Sequence, residues 1–295
     1  MLGLIQNNNR FDYLHWTLTD IGPEVNSFGS VIIDEDKTLS VYSQLLSKIK
    51  KTVKDKDNFF SLTLNDSSIY FSELQDSDQI GSNEMISWYI AQNDLSSIEE
   101  IYDIYNYSFS KRSKLLNVFV PKEIKANLLV SLEKNGGMIN SLSTGIFSAE
   151  IGARKWFYAH KLKSYAVWKV CSNKLHELLF VYKNDLKLFV KFRQLKNRFK
   201  IVNYYGESEL QDYILSQIES MVFLNKYKFD FCSEIFIYSQ KEQGLIENCI
   251  GQKKHQNITI LNPLSSLSVN KSLEYNFNDT SYLAESGNCF KDIDV

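Results

Sequence analysis

Short apolar runs separated by polar turns occur in the same order twice along this chain. Leu2–Ile5 predicts a strand, Gln6-Asn7-Asn8-Asn9-Arg10 a turn, Phe11–Leu18 a returning strand and Val25–Ile33 the third strand of a meander. In the second half, 165–170, 175–182 and 186–192 predict another meander, with turns at Cys171-Ser172-Asn173-Lys174 and Lys183-Asn184-Asp185. An amphipathic helix follows each. Val41, Leu45, Leu46, Ile49 and Val53 share one face over 40–54; Leu210, Tyr213, Ile214, Ile218, Met221 and Val222 do so over 207–225. A short apolar strand comes next in both halves, Phe59–Leu64 and Glu234–Tyr238, with a further helix at 244–250 and strand at 258–261 in the second.

The middle has a different rhythm. Ile69-Tyr70-Phe71 predicts a short strand. Residues 84–92 predict a helix with Met85, Trp88 and Tyr89 on one side. Strands at 98–109 and 114–120 flank a reversal at 110–113. Pro121 suits the first turn of the next helix, which buries Ile124, Leu128, Leu129 and Leu132 and stops at Asn135-Gly136-Gly137. Met138-Ile139 should re-enter the first sheet, a helix over 141–160 follows, and the tail around Tyr282-Leu283-Ala284 reads as a closing helix. The expected organisation is therefore a first lobe at 1–77 and 138–163, an inserted small α-β-β-α subdomain at 78–137, and a second lobe at 164–295.

Composition narrows the function. A net charge of -2 gives no global pull toward nucleic acid, and the basic run 48–54, answered by Asp55 and Asp57, reads as a solvated helix face. No apolar run approaches the roughly 18 residues of a membrane helix, and no signal-peptide pattern opens the chain, so a cytoplasmic location is expected. The four cysteines (171, 232, 249, 289) lack C-x-x-C spacing and the four histidines (15, 160, 176, 255) lack ligand spacing. Reduced structural thiols and no metal site are expected.

A duplicated β-β-β-α-β unit is the ground plan of two-lobed actin-like and sugar-kinase proteins. More specifically, Leu115–Ile124 followed by Leu128–Gly137, the helix after it, and the stretch from Ile235-Phe236-Ile237 to Ile258-Thr259-Ile260-Leu261-Asn262-Pro263 resemble the PilM family of type IV pilus assembly proteins, related to the cytoplasmic region of GspL in type II secretion. Glu84 or a neighbour stands where that family carries a helix glutamate. The resemblance implies an actin-like (ribonuclease H-like) α/β fold with a trimmed second-lobe insertion. It also implies a partner, the N-terminal cytoplasmic peptide of a PilN-like inner-membrane protein, and a peripheral place on the membrane's inner face through that partner. The peptide groove would lie between the first lobe and the small subdomain, with Phe71, Trp88, Tyr105 and Phe119 as candidate lining residues; each also reads as ordinary subdomain core.

The departures from the family pattern bear on chemistry. Nucleotide-binding members open with Asp-x-Gly-Ser/Thr, where glycine admits the phosphate and the carboxylate holds Mg²⁺ through water. Here the first turn is Ile5-Gln6-Asn7-Asn8-Asn9 and the second Trp168-Lys169-Val170-Cys171, while Tyr238-Ser239-Gln240-Lys241-Glu242 replaces a glycine-rich adenosine turn. No catalytic residue, cofactor or metal is therefore expected, and the chain reads as a pseudo-ATPase scaffold. The alternatives are a sugar or acetate kinase-like enzyme, which needs the missing carboxylate and glycine pair, and a ribonuclease H-type nuclease, for which Asp12 lacks a partner carboxylate in the first strand. An actin-like protein that still polymerises is a further reading.

Overall fold

The computed structural model describes residues 1–33, 41–52, 59–65, 69–75, 98–109, 114–135, 137–172, 174–224, 226, 228–240, 243–250, 257–275 and 277–292. The helix expected over 84–92, with Glu84 and Trp88, lies outside them.

The first meander is β1 (Leu2–Asn7), β2 (Arg10–Thr19) and β3 (Gly22–Ile32), antiparallel and in the register Leu4↔Tyr13 and Tyr13↔Gly29. Helix α1 (Val41–Thr52) crosses over, burying Leu45, Leu46 and Ile49 as its period requires, and β4 (Phe59–Leu64) then pairs parallel with β1. After an inserted unit, β8 (Met138–Thr144) pairs parallel with β4, and α4 (Gly145–Trp156) follows.

The second lobe repeats this order. The meander is β9 (Ser164–Val170), β10 (Leu175–Tyr182) and β11 (Asp185–Gln194), then α5 (Ser208–Leu224), β13 (Glu234–Ser239), α6 (Gln243–Ile250) and β14 (Ile258–Ile260). The strand order β3-β2-β1-β4-β8 of one sheet matches β11-β10-β9-β13-β14 of the other, with the same mix of antiparallel and parallel pairs. The duplication legible in the sequence is thus a duplication of topology.

The inserted unit is β5 (Tyr70–Gln75), α2 (Ile98–Ile101), β6 (Tyr102–Phe109), β7 (Lys114–Pro121) and α3 (Lys122–Asn135). Its strands extend the second sheet through the parallel pairing of β6 with β11 at Phe109↔Leu186. Strand β5, placed with the first lobe on sequence, is hydrogen-bonded to β7 instead.

Three further elements differ from expectation. The helix read over 141–160 begins only at Gly145. Ser141–Thr144 is polar apart from Leu142, and its backbone pairs with β4, with Ser141 Oγ donating to Ser61 Oγ at 2.8 Å. Strand β12 (Phe199–Gly206) was unforeseen; it pairs with β11 and ends at Gly206, whose φ of 108° a side chain would strain. The closing helix is a 3₁₀ helix over Phe277–Phe290.

That closing helix is buried between the two sheets and packs on α4. Thr63 Oγ1 donates to Glu285 O at 2.7 Å, tying the helix to β4. Trp16 stacks on Phe290 at 4.6 Å between ring centroids, and Trp156 meets the same ring edge-on at 5.4 Å. Just before it, β15 (Ser268–Val269) pairs parallel with β3, and Asn270 N donates to Val25 O at 2.9 Å. The second lobe's outer face carries a separate core under α5 and α6, built on Trp168, Leu178, Val190 and Phe192.

Candidate functional site

The first hairpin turn is closed on itself. Asn8 takes a left-handed φ of 56°, which asparagine tolerates, and its Oδ1 accepts from Asn65 Nδ2 at 2.7 Å. Asp12 is fully buried behind the turn and accepts from Asn7 Nδ2 at 2.7 Å, from Arg10 at 2.7 Å and from Ser30 Oγ. Burial raises the Asp12 pKa, and the Ser30, Arg10 and Asn7 donors oppose that rise. The Arg10 guanidinium also lies 5.4 Å from the Tyr282 ring centroid.

At the second hairpin, β9 ends in a buried lysine. Lys169 Nζ is 2.9 Å from Glu285 Oε1 of the closing helix and 3.7 Å from Glu177 Oε2 of β10. Glu177 also pairs with Lys191 of β11 at 2.8 Å. Tyr238 Oη donates to Glu285 Oε1 at 2.8 Å, and Gln240 Nε2 reaches both Glu285 oxygens at 2.9 and 3.1 Å. Burial holds the Tyr238 hydroxyl far above its ordinary pKa. The residues at the two turns do not fit a Mg·ATP clamp: one carboxylate is spent on Arg10, Asn7 and Ser30, and the other strand end presents an ammonium already paired with carboxylates. Among the described residues no cluster of His, Cys, Asp or Glu could hold a metal ion.

The sequence-predicted aromatics divide between two faces. Directly paired residues of neighbouring antiparallel strands share a face, and the pairs Phe71↔Val118 and Tyr105↔Val118 put Phe71 and Tyr105 together. Phe119 pairs with Tyr70 and Ile104 and so lies on the opposite face, where its ring meets Tyr102 at 6.3 Å. Phe71 packs inward against Phe147, Phe189 and Tyr205, at centroid distances of 6.2, 5.2 and 6.0 Å, under the Lys191 ammonium at 4.9 Å. Tyr105 remains 41% exposed. Trp88 is outside the described residues.

Tyr105 borders a small pocket of about 40 Å³ that shares Tyr107, Leu142 and Ser143 with a groove of about 790 Å³. The groove runs along α4, between β6 and β8 on one side and β10 and β11 on the other. Its apolar surface comes from Phe147, Ile151, Leu179, Val181 and Leu186, with Tyr107 stacked on Phe147 at 4.7 Å. Its polar border carries Glu150, Arg154, Lys155, His160, Lys161 and Lys291. Glu150 is held by Arg154 at 2.7 Å and by the Tyr165 hydroxyl. Tyr158, 48% exposed beside the groove, has φ 54°, a left-handed conformation where a helix end usually carries glycine. Lys161 Nζ sits 4.3 Å over its ring. Sequence reading missed this groove because its walls come from segments far apart in the chain.

Two meanders in matched order, each followed by a crossover helix and parallel strands, with a shared helix between the sheets, define an actin-like α/β fold. The solved PilM–PilN type IV pilus biogenesis complex aligns over 97% of this chain and 96% of that chain, at a TM-score of 0.58 and 11% identity. The cytoplasmic domain of EpsL, an inner membrane component of the type II secretion system of Vibrio cholerae, aligns over 99% and 94% at a TM-score of 0.46 and 9% identity. A protein of actin-like ATPase fold from Bacteroides thetaiotaomicron aligns over 90% and 91% at 0.43 and 10% identity. Sugar kinases and a Ppx/GppA phosphatase also align. Identity this low relates folds and does not carry activities across. No family model matches the chain, and no curated protein sequence does. Among the described residues no helix is long and apolar enough to cross a membrane.

Proposed function

We propose that this chain is a non-catalytic, PilM-like scaffold that holds a short peptide of a partner protein in the groove along α4. The supporting observation is the groove itself, apolar within and polar at its border, on a fold shared with a protein solved as a PilM–PilN complex. In this reading the partner is a PilN-like protein of an inner-membrane platform for pilus assembly or type II-like secretion. The chain sits on the cytoplasmic face through that contact, and strand β6 of the inserted unit forms one wall of the dock. Tyr105 and Tyr107 contact the peptide, while Phe71, on the same sheet face, packs against Phe147 of the groove and supports it. Because the hairpin turns lack a phosphate cradle, the two lobes serve as a frame and not as a phosphoryl-transfer site.

The test is calorimetric titration with a synthetic peptide from the N-terminus of the proposed PilN-like partner, in parallel with Mg·ATP. Saturable peptide binding that Tyr105→Ala weakens, with no saturable ATP heat, supports the proposal. Tight ATP binding, or peptide binding indifferent to groove substitutions, refutes it.

A further inference from the structure

We infer that the groove selects an apolar peptide segment flanked by carboxylates. This rests on the peptide-holding reading above and adds the chemistry of the occupant. The chain as a whole carries a net charge of -2, so a local excess of cations is a feature of the place and not of the composition. At the groove the excess is plain. Arg154, Lys155, Lys161 and Lys291 line it against one carboxylate, Glu150, whose oxygens already meet Arg154 and the Tyr165 hydroxyl. The β10–β11 turn contributes Asn184 to the lining, while Lys163 and Lys183 next to it hold their ammoniums over the Tyr182 ring, at 5.8 and 5.5 Å from its centroid.

The apolar walls would take aliphatic side chains, and the lysines beyond them would meet Asp or Glu on either side of that core. A second observation marks the same border as built for contact. Tyr158 keeps a left-handed backbone that costs a side-chain-bearing residue about 1–2 kcal/mol, yet leaves its ring exposed under Lys161. An exposed aromatic with a cation on it offers an apolar surface and a carboxylate partner together.

The experiment uses three short fluorescent peptides with one Leu/Ile core and flanks of Asp/Glu, Ser or Lys/Arg, titrated by anisotropy into the full chain. The acid-flanked peptide should bind ~10-fold tighter than the Ser-flanked one at low salt, with the gap closing at high salt. The exposed pair Lys161→Glu and Lys291→Glu should erase or reverse that order while leaving the thermal midpoint unchanged. Equal binding of all three, or a preference for basic flanks, overturns this inference and leaves the peptide-holding reading standing. If no peptide binds, including the natural one used above, both fall.

Discussion

Gly287→Ala is the sharpest test of how the two lobes are joined. A Cβ at this position would lie 2.7 Å from Gly152 Cα and closer still to Gly152 N and Ser148 O, all backbone atoms of α4. No rotamer change relieves such a clash, so the closing helix would have to lift from α4. Overpacking of this kind costs about 1–3 kcal/mol or more. Lifting also loosens Phe290 from Trp16 and Trp156 and lengthens the bond from Thr63 Oγ1 to Glu285 O. If that exposes 40–80 Å² of apolar surface, it adds roughly 1–2 kcal/mol. The expected loss is about 2–5 kcal/mol, or a fall in Tm of roughly 3–8 °C for a chain of this size. Urea unfolding followed by tryptophan fluorescence measures it directly, because Trp16 and Trp156 both touch the displaced ring. Gly244→Ala is the control: a Cβ there meets nothing within 4 Å, and the helix should gain about 0.5 kcal/mol or more. A loss below about 1 kcal/mol for Gly287→Ala, at unchanged m-value, would show that the close approach does not lock the lobes.

His176 is buried against Phe192 and Trp168, and that burial pushes its pKa down to about 4 despite an opposing contribution from Gln194. The unfolded chain therefore takes up the proton first, so stability is full above about pH 6.5 and falls by about 3 kcal/mol as pH drops toward 4; His176→Phe should flatten that part of the urea-midpoint profile, and identical slopes would refute the assignment. Lys169→Met leaves Glu285 and Glu177 without its ammonium in a buried site and should cost about 3–5 kcal/mol, partly restored by adding Glu285→Gln. A double variant no more stable than the single in chemical denaturation would contradict the coupling. Tyr158→Gly relieves the left-handed backbone and should leave Tm unchanged or raised by about 0.5–1 kcal/mol of stability while peptide affinity drops severalfold; a parallel loss of both would mean the ring is structural.

Much of the scaffold was legible because local pattern and topology agree. Strands β1, β9 and β10 are buried on both faces and read as short continuous apolar runs, and the helices α1 and α5 show the 3.6-residue period that their packing demands. Only the end of β8 was misread: Met138-Ile139 reads as re-entering the first sheet, but 141–144 was given to the following helix, since a local window there allows helix or strand. The parallel pairing with β4, invisible in a local window, decides between them. The charge cluster could not be foreseen, since Lys169, Glu177, Lys191 and Glu285 meet only once β9, β10, β11 and the closing helix are assembled. The separation of Phe71 from Phe119 follows from cross-strand register and was not legible: Phe119 pairs with Tyr70, and Phe71, next to Tyr70 in the same strand, faces the other way.

The small strand Ser268–Val269 adds a mechanical corollary. It leaves the second lobe, zips onto the outer edge strand of the first, and the chain then dives back between the sheets as the helix that ends at Phe290. Each half thus wears a piece of the other. Neither half could be cut out as a free-standing fragment without exposing raw sheet edge and core, and a wide jaw-like swing would tear backbone bonds at Val25 and Asn270. A frame stitched in this way holds its shape whether or not anything lies between its halves.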